Sequence, residues 1–110
     1  MNIQANLPEG SHETGAAKVV FRLYFAGDAP NSVMAQRNLD ALCQEHYAHN
    51  YQIELVDVRI FPERAWAEGV IVTPMIVRVS PAPEVQIVGN LSNTAQVLHI
   101  LGLSNDKQAR

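Results

Sequence analysis

Residues 18–32 read KVVFRLYFAGDAPNS, and this stretch decides the fold of the chain. Its first part, Lys18–Ala26, is β-branched and aromatic, with Arg22 as its one charged interruption. Such a run predicts a strand that is covered on both faces, as in a parallel or mixed sheet. Gly27 and Pro30 then end the strand and open a loop.

A helix is predicted to follow this loop and to run to about Tyr47. Asn31 or Ser32 is expected to cap its first turn, because a side-chain oxygen there can accept a hydrogen bond from a free backbone N–H. Apolar residues recur with helical spacing on one face, which holds Ala35, Leu39, Leu42, Cys43 and His46. This face should therefore pack against the sheet.

The remaining elements follow from the same kinds of pattern. A second strand at Tyr51–Val58 completes a strand–helix–strand unit, which is normally parallel and right-handed. Pro62 should begin a short helix that ends at Gly69. After it come a strand at Met75–Val79, a proline turn at 80–83, a strand at Glu84–Val88, a break at Gly89 and Asn90, and a helix capped by Ser92 and closed by Gly102 and Leu103. The predicted order is β-α-β-α-β-β-α, an α/β fold.

Composition limits what this chain can be. It has 110 residues, of which 47% are hydrophobic and 17% charged, so one folded domain is expected. A flexible leader is predicted at 1–17, the domain at 18–103 and a flexible tail at 104–110. The net charge of −3 argues against bulk attraction to nucleic acid or to an anionic membrane. No secretory signal or membrane span is predicted, so the cytoplasm is the expected location.

The layout resembles that of thioredoxin-like proteins but lacks their chemistry. Such proteins place a redox pair of cysteines in the loop before the first helix and a cis-proline before the third strand. Here the loop reads Asp28-Ala29-Pro30-Asn31, and Thr73-Pro74 stands at the proline position. Dithiol exchange needs two sulfurs, whereas this chain has only Cys43. The sequence therefore predicts a cis Thr73–Pro74 bond and a binding protein without disulfide reductase activity.

Four segments together resemble the KaiB family of bacterial clock and signalling proteins. They are residues 23–32 (LYFAGDAPNS), 56–58 (VDV), 72–74 (VTP) and 88–92 (VGNLS). The likeness runs from about Val19 to Leu103, and it extends to the sensor domain of the related clock histidine kinase. It implies a thioredoxin-like fold and a protein that is not an enzyme and needs no cofactor.

The resemblance also implies partners and a second fold. KaiB binds the ring ATPase KaiC, where it competes with the histidine kinase, and it changes fold between a self-associated resting form and a thioredoxin-like binding form. The alternative fold class for this chain is therefore the rearranged resting fold with a different C-terminal half, as a dimer or tetramer. The family's Gly-Asp hinge corresponds to Gly89 and Asn90, with asparagine in place of the usual aspartate. Met34 also departs from the pattern, which has arginine there.

Other candidate residues have simpler interpretations. Ser32 is more readily a helix cap than a nucleophile, and Cys43 a small buried hydrophobe than a reactive thiol. His46 and His49 are too few for a metal site. Asp57 is expected at a strand end, hydrogen-bonded to a loop, whereas Trp66 suits a core anchor and an exposed contact equally.

The sequence therefore predicts a KaiB-like signalling adaptor that binds a KaiC-like ATPase and regulates a clock or stress output. The candidates for partner contact are Met34, Arg37 and Trp66. The runner-up is a divergent thioredoxin-like stress or redox-associated protein that has no such partner. A small enzyme that uses the cleft at Pro74 is a weaker third hypothesis, because it lacks a nucleophile.

Overall fold

The computed structural model describes residues 18–103, and these have the predicted order of elements. The strands are β1 (Val19–Phe25), β2 (Tyr51–Asp57), β3 (Met75–Ser80) and β4 (Val85–Val88), and the helices are α1 (Pro30–Tyr47), α2 (Pro62–Glu68) and α3 (Thr94–Ile100). The strand bounds agree with the prediction to within one residue at each end. The predicted leader and tail lie outside the described residues.

The four strands form one mixed sheet in the order β2-β1-β3-β4. Strands β1 and β2 are parallel, with Val19 opposite Tyr51 and Phe25 opposite Asp57. Strand β3 is antiparallel to β1 and forms a hairpin with β4. The nearly continuous apolar run in β1 follows from its place inside the sheet, where both of its faces are covered.

Side chains alternate between the two faces of each strand, which gives the domain three layers. On one face, Phe21 and Leu23 pack against the buried residues of α1 and α3, among them Leu39, Cys43 and Val97. On the other face, a smaller cluster around Tyr24 lies on the side of α2; its buried members are Tyr24, Val56, Met75 and Val77. None of the helices within 18–103 is long and apolar enough to cross a membrane.

Two of the predicted helix caps are wrong. Helix α1 begins at Pro30, before both proposed caps, and Ala29 precedes it without a side-chain cap. Proline suits this position because it has no N–H that needs a partner. Ser32 instead accepts a hydrogen bond from Ala26 N–H, at 3.1 Å.

The second wrong cap is at α3, where Asn93 rather than Ser92 accepts the hydrogen bond from Gln96 N–H. The end of α3 is as predicted. Gly102 N–H donates to His99 and Leu103 N–H donates to Leu98. This is the Schellman pattern, and Gly102 has the positive φ of 78° that it requires.

The loop before β3 joins the two halves of the domain. The Thr73–Pro74 peptide bond is cis, as are the bonds before Pro81 and Pro83. The carbonyl of Pro74 accepts a hydrogen bond from Gly89 N–H, at 2.9 Å. The proline step therefore lies directly beside the glycine that follows β4.

Candidate partner-binding surface

Exposed apolar side chains are concentrated around α2. Of the ten large hydrophobic residues exposed within 18–103, five lie between positions 60 and 72. We call these five the α2 patch: Ile60, Phe61, Trp66, Ile71 and Val72. Trp66 is 82% exposed and Ile71 is 94% exposed. A concentration of this kind marks an interaction surface more often than the single apolar residues scattered over any protein.

A groove of about 650 Å³ runs beside α2. Its lining contains no charged residue and consists of Val58, Pro62, Ala65, Trp66, Gly69, Val70, Ile71 and Thr73. Two of the most exposed members of the α2 patch, Trp66 and Ile71, stand at the groove. The surface therefore combines protruding apolar side chains with an apolar depression, which suits a protein partner better than a small charged substrate.

Ion pairs hold α2 on the sheet beneath this patch. Arg22 Nε and Arg64 Nη1 lie 2.7 Å and 2.8 Å from the two carboxylate oxygens of Glu54, and Arg22 also lies 3.8 Å from Glu68. Hydrogen bonds from Arg64 and then Arg22 lower the pKa of Glu54 to about 2. The charges of Arg22, Glu54 and Arg64 beneath the patch are thus matched within the chain, while Glu63 on α2 is exposed beside Phe61.

A salt bridge lies beside the loop between β1 and α1, where thioredoxin-like proteins carry their redox pair. Asp57 stands at the end of β2, as predicted, and accepts hydrogen bonds from the backbone N–H, Nε and Nη2 of Arg59, at 3.0, 3.1 and 3.0 Å. These bonds lower the pKa of Asp57. The Arg59 guanidinium occupies the space where a Cβ at Gly27 would stand. The redox position therefore has an arginine beside it, from the loop after β2, and no thiol.

The cysteine lies in α1, away from the redox position, and its thiol is unreactive. Cys43 is fully buried in α1, among Phe21, Leu39 and their neighbours. Burial, with a smaller contribution from the charge of Asp40, raises the pKa of the Cys43 thiol to about 12. A thiol with that pKa is almost wholly protonated at neutral pH, so it is a poor nucleophile.

His46 and His49 belong to no metal-binding cluster within the described residues. His46 Nε2 lies 3.9 Å from Glu45, its neighbour in the chain. Within residues 18–103 no group of three or more histidine, cysteine or carboxylate side chains is placed to hold a metal ion. His46 is partly buried at the edge of the core face and His49 is exposed.

The proposed hinge residues lie on the opposite side of the sheet from α2, against α1. Gly89 has φ +118°, whereas the other residue with positive φ in this loop is Leu91, at +67°, and not Asn90. The unusual backbone angles of this loop therefore lie at Gly89 and Leu91, on either side of Asn90. Asn90 acts through its side chain and its carbonyl, which bond to Asn31 and Asn38 of α1.

The three candidate contact residues do not share one surface. Met34 and Arg37 are exposed on α1, and Met34 Sδ lies 3.9 Å from the amide of Asn90. Trp66 is exposed on α2, in the layer on the other face of the sheet, so it is not a core anchor. The sequence reasoning missed the other four members of the α2 patch. A partial signal existed, since Ile60-Phe61 and Ile71-Val72 are apolar pairs outside the predicted strands.

Comparison with known proteins places this geometry in a family. Residues 22–103 match the family model described as the KaiB domain. The chain is 40% identical over 86 residues to "Circadian clock protein KaiB3" of Synechocystis sp., which covers 78% of this chain and 82% of that protein. It is 35% identical over 79 residues to "Circadian clock oscillator protein KaiB" of Thermosynechococcus vestitus, covering 72% and 73%.

Solved structures establish the fold. The N-terminal domain of SasA from Synechococcus elongatus has a TM-score of 0.66 at 17% identity, over 82% of this chain and 89% of that domain. Mitochondrial thioredoxin 3 from Saccharomyces cerevisiae has a TM-score of 0.63 at 22% identity, over 79% and 80%. The described domain is thus thioredoxin-like, which confirms the first of the two predicted fold classes.

Proposed function

Because this chain belongs to the KaiB family, we propose that it is a signalling adaptor that binds a KaiC-like ring ATPase and so regulates a clock or stress-response output. It is a clock-family protein and not an enzyme. The observation that carries the proposal is an exposed apolar patch on a thioredoxin-like domain whose redox position holds no thiol. The cytoplasm, where such an ATPase would meet it, is the proposed location.

The α2 patch is the proposed site of contact with the ATPase. Trp66 supports this because it is exposed, large and rigid, and residues of this kind supply much of the binding energy at protein interfaces. Met34 and Arg37 lie in a different layer, so we assign them to a second contact. The clock histidine kinase is a candidate competitor, since the SasA N-terminal domain has the same fold.

The hinge also enters the proposal. Gly89 and Asn90 are proposed to allow the C-terminal half to take a second arrangement that self-associates as a dimer or tetramer. The left-handed backbone at Gly89 supports this, because such a position has few alternatives to glycine. The thioredoxin-like arrangement described above would be the form that binds the partner.

Size-exclusion chromatography tests this function directly. The purified chain is mixed with the KaiC-like hexamer of the same organism in the presence of ATP. Co-elution is expected, and Trp66→Ala should weaken the affinity at least tenfold, as the loss of a central aromatic anchor does. Ile100→Ala, an exposed apolar residue on α3, is the matched control and should bind as the wild type does. Failure of the wild type to bind would favour the runner-up, a thioredoxin-like protein without such a partner.

A further inference from the structure

The loop that joins β4 to α3 has an unfavourable backbone. Gly89 has φ +118° and Leu91, two residues later, has φ +67°. A non-glycine residue in the left-handed region is uncommon, and leucine gains no local hydrogen bond from its side chain there. Leu91 is nevertheless buried in the core under α1. Interactions with the rest of the domain must therefore stabilise a loop conformation that is unfavourable for the backbone alone.

Asn90 supplies these interactions, because every polar group beyond its own N–H is bonded. Its carbonyl accepts from Asn38 Nδ2 at 2.8 Å, and its Nδ2 donates to Asn31 Oδ1 at 3.0 Å. Its Oδ1 accepts from Ser92 N–H at 2.9 Å. Two of these three bonds reach α1, from residues 52 and 59 positions away in the chain.

Helix α3 depends on this loop for its position. It has seven residues, so it is too short to be stable by itself in water. Its packing against the sheet comes from a small apolar set: Val97, Leu98, Leu101 and Leu103. An additional bond, from Arg78 Nη1 to the carbonyl of Leu101, is long at 3.5 Å. The start of α3 is therefore fixed mainly through residues 89–93.

We propose that Asn31, Asn38 and Asn90 form an amide latch that holds α3 on α1, and that opening the latch releases residues 89–103 as a unit without unfolding β1 and β2. The driving force for release is the left-handed backbone of Leu91, which is unfavourable for a residue other than glycine. Release uncovers the apolar face of α1 around Leu42, which α3 and Leu91 cover in the closed form. The latch deepens the hinge proposed above, but it concerns α3 itself and involves no partner.

Two isosteric variants on the same helix distinguish the latch from general stability. Asn38→Asp removes the N–H that donates to the Asn90 carbonyl and places a carboxylate against it. Asn31→Asp adds the same charge to α1 but keeps the oxygen that accepts from Asn90. Amide hydrogen exchange of the full chain, without any partner, is measured for both variants and for the wild type.

The expected result is local. In Asn38→Asp the amides of Val97, Leu101 and Leu103 should exchange about tenfold faster, the effect of one lost, partly buried hydrogen bond, while β1 amides keep their wild-type rates. Asn31→Asp should exchange like the wild type throughout. Unchanged α3 exchange in Asn38→Asp would overturn the latch, and so would equal acceleration in α3 and β1. Neither outcome depends on partner binding, which is measured separately by co-elution with the ATPase.

Discussion

Replacement of Gly89 by alanine tests how the backbone angle at this residue affects the equilibrium between the thioredoxin-like arrangement and the proposed rearranged form. With φ at +118°, Gly89 lies beyond the left-handed α region near +57° that other residues occasionally enter. No heavy atom lies within 4 Å of the position that a new Cβ would take, apart from its chain neighbours. The penalty is therefore conformational rather than a collision, and it should be roughly 1 kcal/mol or more.

The sign of the effect follows from the structure. The thioredoxin-like arrangement has a positive φ at Gly89, so Gly89→Ala destabilises that arrangement. A penalty of about 1.4 kcal/mol changes an equilibrium tenfold. A rearranged form present at about 1% would rise to about 10%, which size-exclusion chromatography and amide NMR detect. Apparent affinity for the KaiC-like partner should fall in proportion to the lost binding form.

Gly69→Ala is the matched control. Gly69 also has a positive φ, +80°, and also has open space where a Cβ would stand, but it lies at the end of α2, outside residues 89–103. It should lower the free energy of unfolding in urea by about 1 kcal/mol without changing the ratio of monomer to oligomer. If Gly89→Ala matches the wild type in stability, oligomer ratio and binding, the hinge reasoning is refuted.

Three further predictions test the surface, the thiol and the ion pairs. Trp66→Ala should lose at least tenfold in affinity for a KaiC-like hexamer while its urea midpoint stays within error of the wild type, because the side chain is 82% exposed; an equal loss in Ile100→Ala would contradict this. Neither the wild type nor Cys43→Ala should reduce insulin, and turnover that disappears with the thiol would show that the buried cysteine reacts. Glu54→Gln should lower the free energy of unfolding by a few tenths to about 1 kcal/mol at pH 7. Because the pKa of Glu54 is lowered to about 2 in the folded chain, the difference in stability between wild type and variant should shrink as the pH falls from about 4.5 towards 2. A difference in stability that is independent of pH would refute the pairing.

The order of elements could be predicted because the signals in this chain are local. The run Val19–Phe25 is too β-branched and aromatic for a helix, and Ala35, Leu39, Leu42 and Cys43 recur with helical spacing. Pro62 and Gly69 bound α2 as expected, with Gly69 in the left-handed conformation at its end. Each of these features depends on residues close together in sequence, so pattern reading was enough.

The helix caps were harder to predict, because several neighbouring residues could each cap the same helix. Residues 90–94 are Asn, Leu, Ser, Asn and Thr, and four of these five side chains are able to cap a helix. Which one does so is decided by the bonds of Asn90 to α1, residues that lie more than 50 positions away. The same long-range bonds explain why Leu91, and not Asn90, takes the left-handed backbone.

The candidate surface was only partly predictable for a related reason. The exposure of a side chain depends on which other residues pack against it, and a tryptophan such as Trp66 suits a core as well as an interface. The pairing of Glu54 with Arg22 and Arg64 brings together three separate elements of the chain. Without the register of β1 against β2, which places Arg22 opposite Glu54, that matching of charge could not be anticipated.

The asparagine at position 90, where the family pattern has aspartate, has a specific chemical consequence in this arrangement. An aspartate there could still accept from Ser92 N–H, but it would have no proton to donate to Asn31 Oδ1. Asn90 uses both its donor and its acceptor, so the substitution adds a bond between the proposed hinge and α1. The α2 patch lies in the layer on the other face of the sheet from this bond. The departure from the family pattern therefore acts on the stability of the thioredoxin-like arrangement rather than on the proposed partner-binding surface.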